Sequence, residues 1–108
     1  MLRIQPVVNA WVVSVRPAVV AIGQHDRNLA GQLSRSSVAV SLNLAEGAGA
    51  TGGDKRRSYR IALREMREAM NALELASQLG FTRPLADLES GRTDQIIGTL
   101  VRLARPTG

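Results

Sequence analysis

Between Tyr59 and Ala76 the apolar residues Tyr59, Ala62, Met66, Ala69, Leu73 and Ala76 advance by three and four alternately. A strand would require a period of two, so this spacing admits one regular structure, an α-helix with a narrow coiled-coil-like seam. Asp54 stands where an N-cap is expected and Gly80 where the helix should stop. At 1.5 Å per residue such a helix is about 40 Å long, and it cannot bury a continuous stripe without helical neighbours of comparable length.

The rest of the chain supplies those neighbours. From Ile4 to about Ile22, Trp11, Val12, Val15, Val19 and Ile22 recur three or four apart. Pro17 removes one backbone donor inside this helix and predicts a bend, and Gly23 ends it. Asp26 is placed to cap a second helix with Leu29, Leu33, Val40 and Leu44 on one stripe and Ala30, Val38, Leu42 and Ala45 beside it. That helix is expected to stop near Gly47, because the run EGAGATGG reads as a loop. Thr82 and Pro84 open a fourth segment, with Gly91 placed to break its first turns. Ile96, Ile97, Leu100, Val101 and Leu103 form its stripe, which ends before Pro106. Aromatic residues make up only 3% of the chain while Ala, Leu and Val supply most of the 44% that is hydrophobic, a composition suited to closely packed helices. With 108 residues in all, the expectation is one domain spanning 1–108, an all-α, antiparallel, up-down four-helix bundle shaped as a rod.

Val12, Val13, Val19, Val20 and Ile22 place apolar residues around more of the first helix than one core can cover, which predicts a homo-oligomer. The same segment is interrupted by Arg3, Asn9, Ser14, Arg16 and Pro17, and reads as too short and too polar to span a membrane. A cytoplasmic protein with no membrane partner is expected. The chain has no cysteine and a single histidine, His25, so neither a thiolate site nor a pair of imidazoles can be built within it. Ser34, Ser36, Ser37 and Ser41 have no partnered base and read as small packing residues, and the glycine run lacks the lysine spacing of a P-loop. No catalytic residue, metal site or cofactor is expected, and no enzymatic activity.

Lys and Arg number 14 against 9 Asp and Glu, a formal net charge of +5. On the long helix, Arg56, Arg60, Arg64 and Arg67 fall within about 80° of one another beside the apolar sector, with Lys55 and Arg57 flanking them at the helix start. Only Arg64 has an acid at the favourable i+4 spacing, Glu68. Phosphates suit such a ridge, since guanidinium forks bind them in pairs of hydrogen bonds and release counterions from the polymer. RNA or DNA is therefore an expected partner through Lys55, Arg56, Arg57, Arg60, Arg64 and Arg67. The alternative is a solvated helix face, or one that meets acids on another protein. Glu46 lies near the negative end of the second helix, an unfavourable place for a carboxylate, and is expected to pair with Lys55, Arg57, Arg60 or Arg35.

The stretch SSVAVSLNLAEGAG, the basic start of the next helix, and the later YRIAL and DQIIGTLVRLAR resemble the small bacterial four helix bundle proteins. That family includes the proteins encoded in intervening sequences of some bacterial 23S rRNA genes, once labelled ribosomal protein S23, and the accessory variability determinant of diversity-generating retroelements. Asn43, Ala45, Glu46 and Gly47 stand at the positions of the family's N-(I/L)-A-E-G core. The chain departs from the family at Ser41, often proline there, and at Arg64 and Glu65, where small residues are common. The resemblance implies a four-helix protomer assembling into a ring, typically a pentamer, with basic surfaces. In the retroelement branch it implies a scaffold for a reverse transcriptase and its template RNA. With Asn43, Glu46 and Gly47 as its structural motif, Asn43 and Glu46 are expected to fix the turn that holds the arginine ridge in place.

Overall fold

The computed structural model describes residues 2–85 and 87–106. Its helices are α1 (Gln5–Ser14), α2 (Arg16–Gly23), α3 (Arg27–Gly49), α4 (Gly52–Gln78) and α5 (Asp87–Leu103), with no strand among the described residues. α1 and α2 are one bent arm, so the architecture is a four-helix bundle, elongated to 45 × 26 × 20 Å. The bend falls at Val15, two residues before Pro17, which sits in the first turn of α2. Proline lacks the amide hydrogen that would reach back four residues, and its ring crowds that carbonyl, so the helix breaks just upstream.

Most expected ends are found. The Asp26 carboxylate accepts the Leu29 amide at 2.9 Å and caps α3. At the far end of α4, Gly80 has φ +78°, and the amides of Phe81 and Gly80 reach the carbonyls of Ala76 (2.8 Å) and Ser77 (3.0 Å). This is a Schellman closure, which needs the left-handed conformation that glycine adopts without strain. Phe81 then stacks on His25, ring centres 4.7 Å apart, tying the α4–α5 connection to the α2–α3 turn.

Three expectations are corrected. The glycine run is not a loop, since α3 continues through it to Gly49 and α4 starts at Gly52, leaving only Ala50 and Thr51 between them. Asp54 is not the N-cap of α4. Thr51 occupies that place without a side-chain cap bond, Asp54 lies in the first turn, and Gly52 supplies the positive φ of +58° that reverses the chain. Gly91 does not break α5.

All six residues of the α4 seam are buried. Trp11, Ile22, Leu33, Leu44, Ile96 and Leu100 fill the space around them, each fully buried. A large apolar side chain moved fully from water contributes about 1.5 to 3 kcal/mol, while Ala62, Ala69 and Ala76 permit the closeness of the helices. The arm runs antiparallel to α3. Gln5 reaches the Ser41 hydroxyl at 3.1 Å near one end, and Arg16 reaches Ser34 at 2.9 Å further along.

The arm Gln5–Gly23 is, at 19 residues and a mean hydropathy of 1.4, long and apolar enough to cross a membrane by length and composition, contrary to the reading of the segment as too short. Its buried residues Val8, Trp11, Val15 and Ile22 pack into the core cluster. Its outer side carries Pro6, Ala10, Val13, Pro17 and Val20, again spaced by three and four and all exposed, Val13 at 69% and Val20 at 64%. On α3, Val38, Leu42 and Ala45 form a second exposed row.

Candidate nucleic-acid interface

The seam of α4 turns Tyr59, Met66 and Leu73 inward, so residues on the opposite side of that helix face solvent by the same periodicity. Arg60, Arg64 and Arg67 are exposed there and, with Leu63, Glu68 and Asn71, surround a shallow depression of about 520 Å3. Arg56 lies one turn before them on the same line and is half-buried. Arg64 Nη2 pairs with Glu65 Oε1 at 3.6 Å. The expected partner of Arg64, Glu68, is therefore replaced by its immediate neighbour. Arg56, Arg60 and Arg67 have no carboxylate within 4.0 Å among the described residues.

The six cations expected to act together divide among three places. Arg60, Arg64 and Arg67 share the outer face. Arg57, seven residues before Arg64 and nearly in line with it along α4, lines a separate depression of about 360 Å3 with Asn43, Glu46 and Asp54. Lys55 and Arg56 open onto the end of the bundle, a concavity of about 510 Å3 that also receives Arg102 from α5 and Arg105 from the turn after it. Lys55 Nζ lies 5.5 Å from the centre of the Tyr59 ring and 3.4 Å from its hydroxyl. Arg102 and Arg105 were not singled out from sequence. The repeat of arginine three residues apart in VRLAR was their only signal.

The motif residues have different roles from those expected. Glu46 is exposed and no basic group lies within 4.0 Å of it among the described residues, so the expected ion pair to Lys55, Arg57, Arg60 or Arg35 is absent. A solvated carboxylate needs no such compensation. The Asn43 side-chain amide donates to the Ala39 carbonyl of its own helix at 2.9 Å and does not reach the junction. Of the three motif residues, Gly47 is the one packed against the first turns of α4. It is buried, and a Cβ built on it would lie 2.6 Å from Tyr59 Cε1 and 2.8 Å from Cδ1. The absent side chain lets the Tyr59 ring lie against the α3 backbone, which fixes the start of α4 and the direction in which its arginines point.

Sequence reasoning also missed Arg16. Its guanidinium donates to the hydroxyls of Ser34 and Ser37 and to the Val12 carbonyl at 3.2 Å, clamping the bent arm to α3. Ser37 is fully buried and passes its own hydrogen to the Ser34 carbonyl at 3.1 Å. These serines are polar anchors as well as small packing residues. Periodicity counts a charge on an apolar stripe as an interruption and gives no sign that hydroxyls wait opposite it.

Comparison with known proteins gives two matches. A family model described as 23S rRNA-intervening sequence protein matches residues 20–96. The fold matches a crystal structure from Bacteroides thetaiotaomicron, described as a protein of unknown function from the S23 ribosomal protein family. The TM-score is 0.81 at 19% identity, over 95% of this chain and 99% of that one. No curated protein matches the chain.

Proposed function

Because the chain belongs to the 23S rRNA-intervening sequence protein family, we propose that it is a non-enzymatic accessory scaffold that binds nucleic acid, RNA foremost, along the arginine face of α4. The observation that carries this reading is the row Arg56, Arg60 and Arg67, none of which meets a carboxylate among the described residues. Cations left uncompensated on a rigid helix are spaced to replace condensed counterions on a phosphate polymer. The scaffold is a homo-oligomer whose subunits meet on the apolar row Pro6, Ala10, Val13, Pro17 and Val20, which bears no charge. A ring of five, and a reverse transcriptase as further partner in the retroelement branch, are what the family resemblance adds.

Those exposed apolar rows also favour a second reading, a protein interaction scaffold that touches no nucleic acid. Filter binding of structured RNA across a salt series separates the two. The first reading expects affinity that falls linearly in log–log form as salt rises, and an absence of binding at low salt would leave the second.

A further inference from the structure

We propose that the concave end of the bundle, where the first turns of α4 meet the last turn of α5, binds a backbone phosphate of single-stranded nucleic acid together with the nucleoside beside it. The proposal rests on the reading of the chain as a nucleic-acid binder and specifies where and in what form the strand is held.

The site is built from two helices far apart in sequence. α4 contributes Lys55 and Arg56, α5 contributes Arg102, the turn just after α5 contributes Arg105, and no carboxylate is among the described residues lining the concavity. An adjoining hollow, sharing Leu2, Arg102 and Leu103 with it, adds Arg3. Four cations turned toward one hollow, with a fifth at its margin, repel one another unless an anion joins them. The backbone acts in the same sense. α4 begins at the concavity with no side-chain cap, and α1 begins near it, after Leu2, likewise with none. Asp54 in the first turn of α4 meets part of that helix's positive end, while the first turn of α1 has neither a side-chain cap nor an acid.

The lining is not purely polar. Leu2 and Leu103, both half-buried, line it together with Tyr59, and the volume of about 510 Å3 falls within the range of small-ligand pockets, about 300 to 1,000 Å3. A duplex hides its base faces and presents phosphates to such a surface, leaving the leucines unused. A single strand offers a base face for the apolar floor and a phosphate for the arginines at once. Continuity identifies the polymer. Arg56 lines the concavity and also begins the row that proceeds through Arg60 and Arg64 to Arg67, each step being about one helical turn, so a strand seated at the end runs directly onto the arginine face.

The test compares three double variants, Arg102→Gln/Arg105→Gln, Lys55→Gln/Arg56→Gln and Arg60→Gln/Arg67→Gln, for binding a labelled mixed-sequence single-stranded RNA and a duplex of the same sequence across a salt series. Circular dichroism and Trp11 fluorescence report retention of the fold. Each of the first two pairs should lower the single-strand salt slope by about 0.7, the share of the one phosphate held in the hollow, and reduce preference for single strand over duplex. The α4 and α5 pairs test the same hollow from opposite walls, so instability of one leaves the other decisive. An unchanged slope and preference in both, with Arg60→Gln/Arg67→Gln weakened, would overturn the end site while the arginine face stands. No RNA binding by the wild-type chain at low salt would overturn both. Loss of acidic-peptide binding in Arg102→Gln/Arg105→Gln, with RNA binding intact, would assign the hollow to a protein partner and overturn the proposal.

Discussion

Replacing Gly47 with alanine tests the contact that sets α4 against α3. The added Cβ would lie 2.6 Å from Tyr59 Cε1, about 0.8 Å short of the ordinary contact that begins at 3.4 Å, and the ring is only 3% exposed, with no room to swing outward. Either the ring or the helix must move, a kind of overpacking that costs about 1 to 3 kcal/mol. Alanine also favours helix over glycine by roughly 0.5 to 1 kcal/mol, which partly conceals that cost. Gly31 on the same helix provides the control, because a Cβ there meets only the guanidinium end of Arg35 at 3.0 Å, a flexible and exposed group. The two substitutions share the propensity gain, so their difference isolates the steric term. Gly31→Ala should stabilise, and Gly47→Ala should fall below it by about 1 to 3 kcal/mol, which at roughly 4 °C per kcal/mol separates their Tm values by about 4 to 12 °C. Urea unfolding at one fixed protein concentration, followed by the single and fully buried Trp11, measures both. Adding Tyr59→Leu to both backgrounds should shrink the difference, since the obstructing ring is gone. Stabilities for Gly47→Ala and Gly31→Ala that agree within about 0.5 kcal/mol would refute the close approach as the reason for glycine at this position.

Further substitutions probe the other parts of the account. Arg16→Met should lower unfolding stability by about 1.5 to 3 kcal/mol through loss of its charged hydrogen bonds to Ser34 and Ser37, read by the same Trp11 titration; a change below about 0.5 kcal/mol would mean that the clamp holds nothing. Glu46→Gln should leave stability within about 0.5 kcal/mol of the parent in a thermal melt, because the carboxylate is exposed and unpaired, and a larger loss would point to a partner for it. Val13→Asp/Val20→Asp should convert the oligomer into a monomer of 11.6 kDa by light scattering with helicity retained, whereas a wild-type chain already of that mass would dispose of the apolar row as an interface.

The long helix was legible because its seam is a local pattern, and each of its six residues is buried. The Asp26 cap and the Gly80 stop were legible for the same reason, since each acts within four or five residues of itself. The glycine run was misread because propensity is a local quantity. Glycine weakens a helix by about 1 kcal/mol, but packing of Tyr59 on Gly47 is a contact between helices and outweighs it. The arginine face was visible in part. The wheel placed Arg60, Arg64 and Arg67 together, and the structure keeps them so, yet Arg57 turns toward Glu46 and Lys55 toward α5. Which helix ends meet is a property of the whole topology. Arg102 and Arg105 could therefore be tied to Lys55 and Arg56 only after the chain was folded.

The central claim is that the uncompensated arginines of α4 contact phosphate, and the salt dependence of RNA binding by Arg60→Gln/Arg67→Gln tests it most directly. Both side chains are exposed and neither is in an ion pair among the described residues, so the fold should be unaltered. If each replaces one condensed counterion, the slope of log affinity against log salt should flatten by about 1.4 to 1.8, with affinity at low salt reduced. A double variant that binds the same RNA at full strength with the parent's slope would contradict the account.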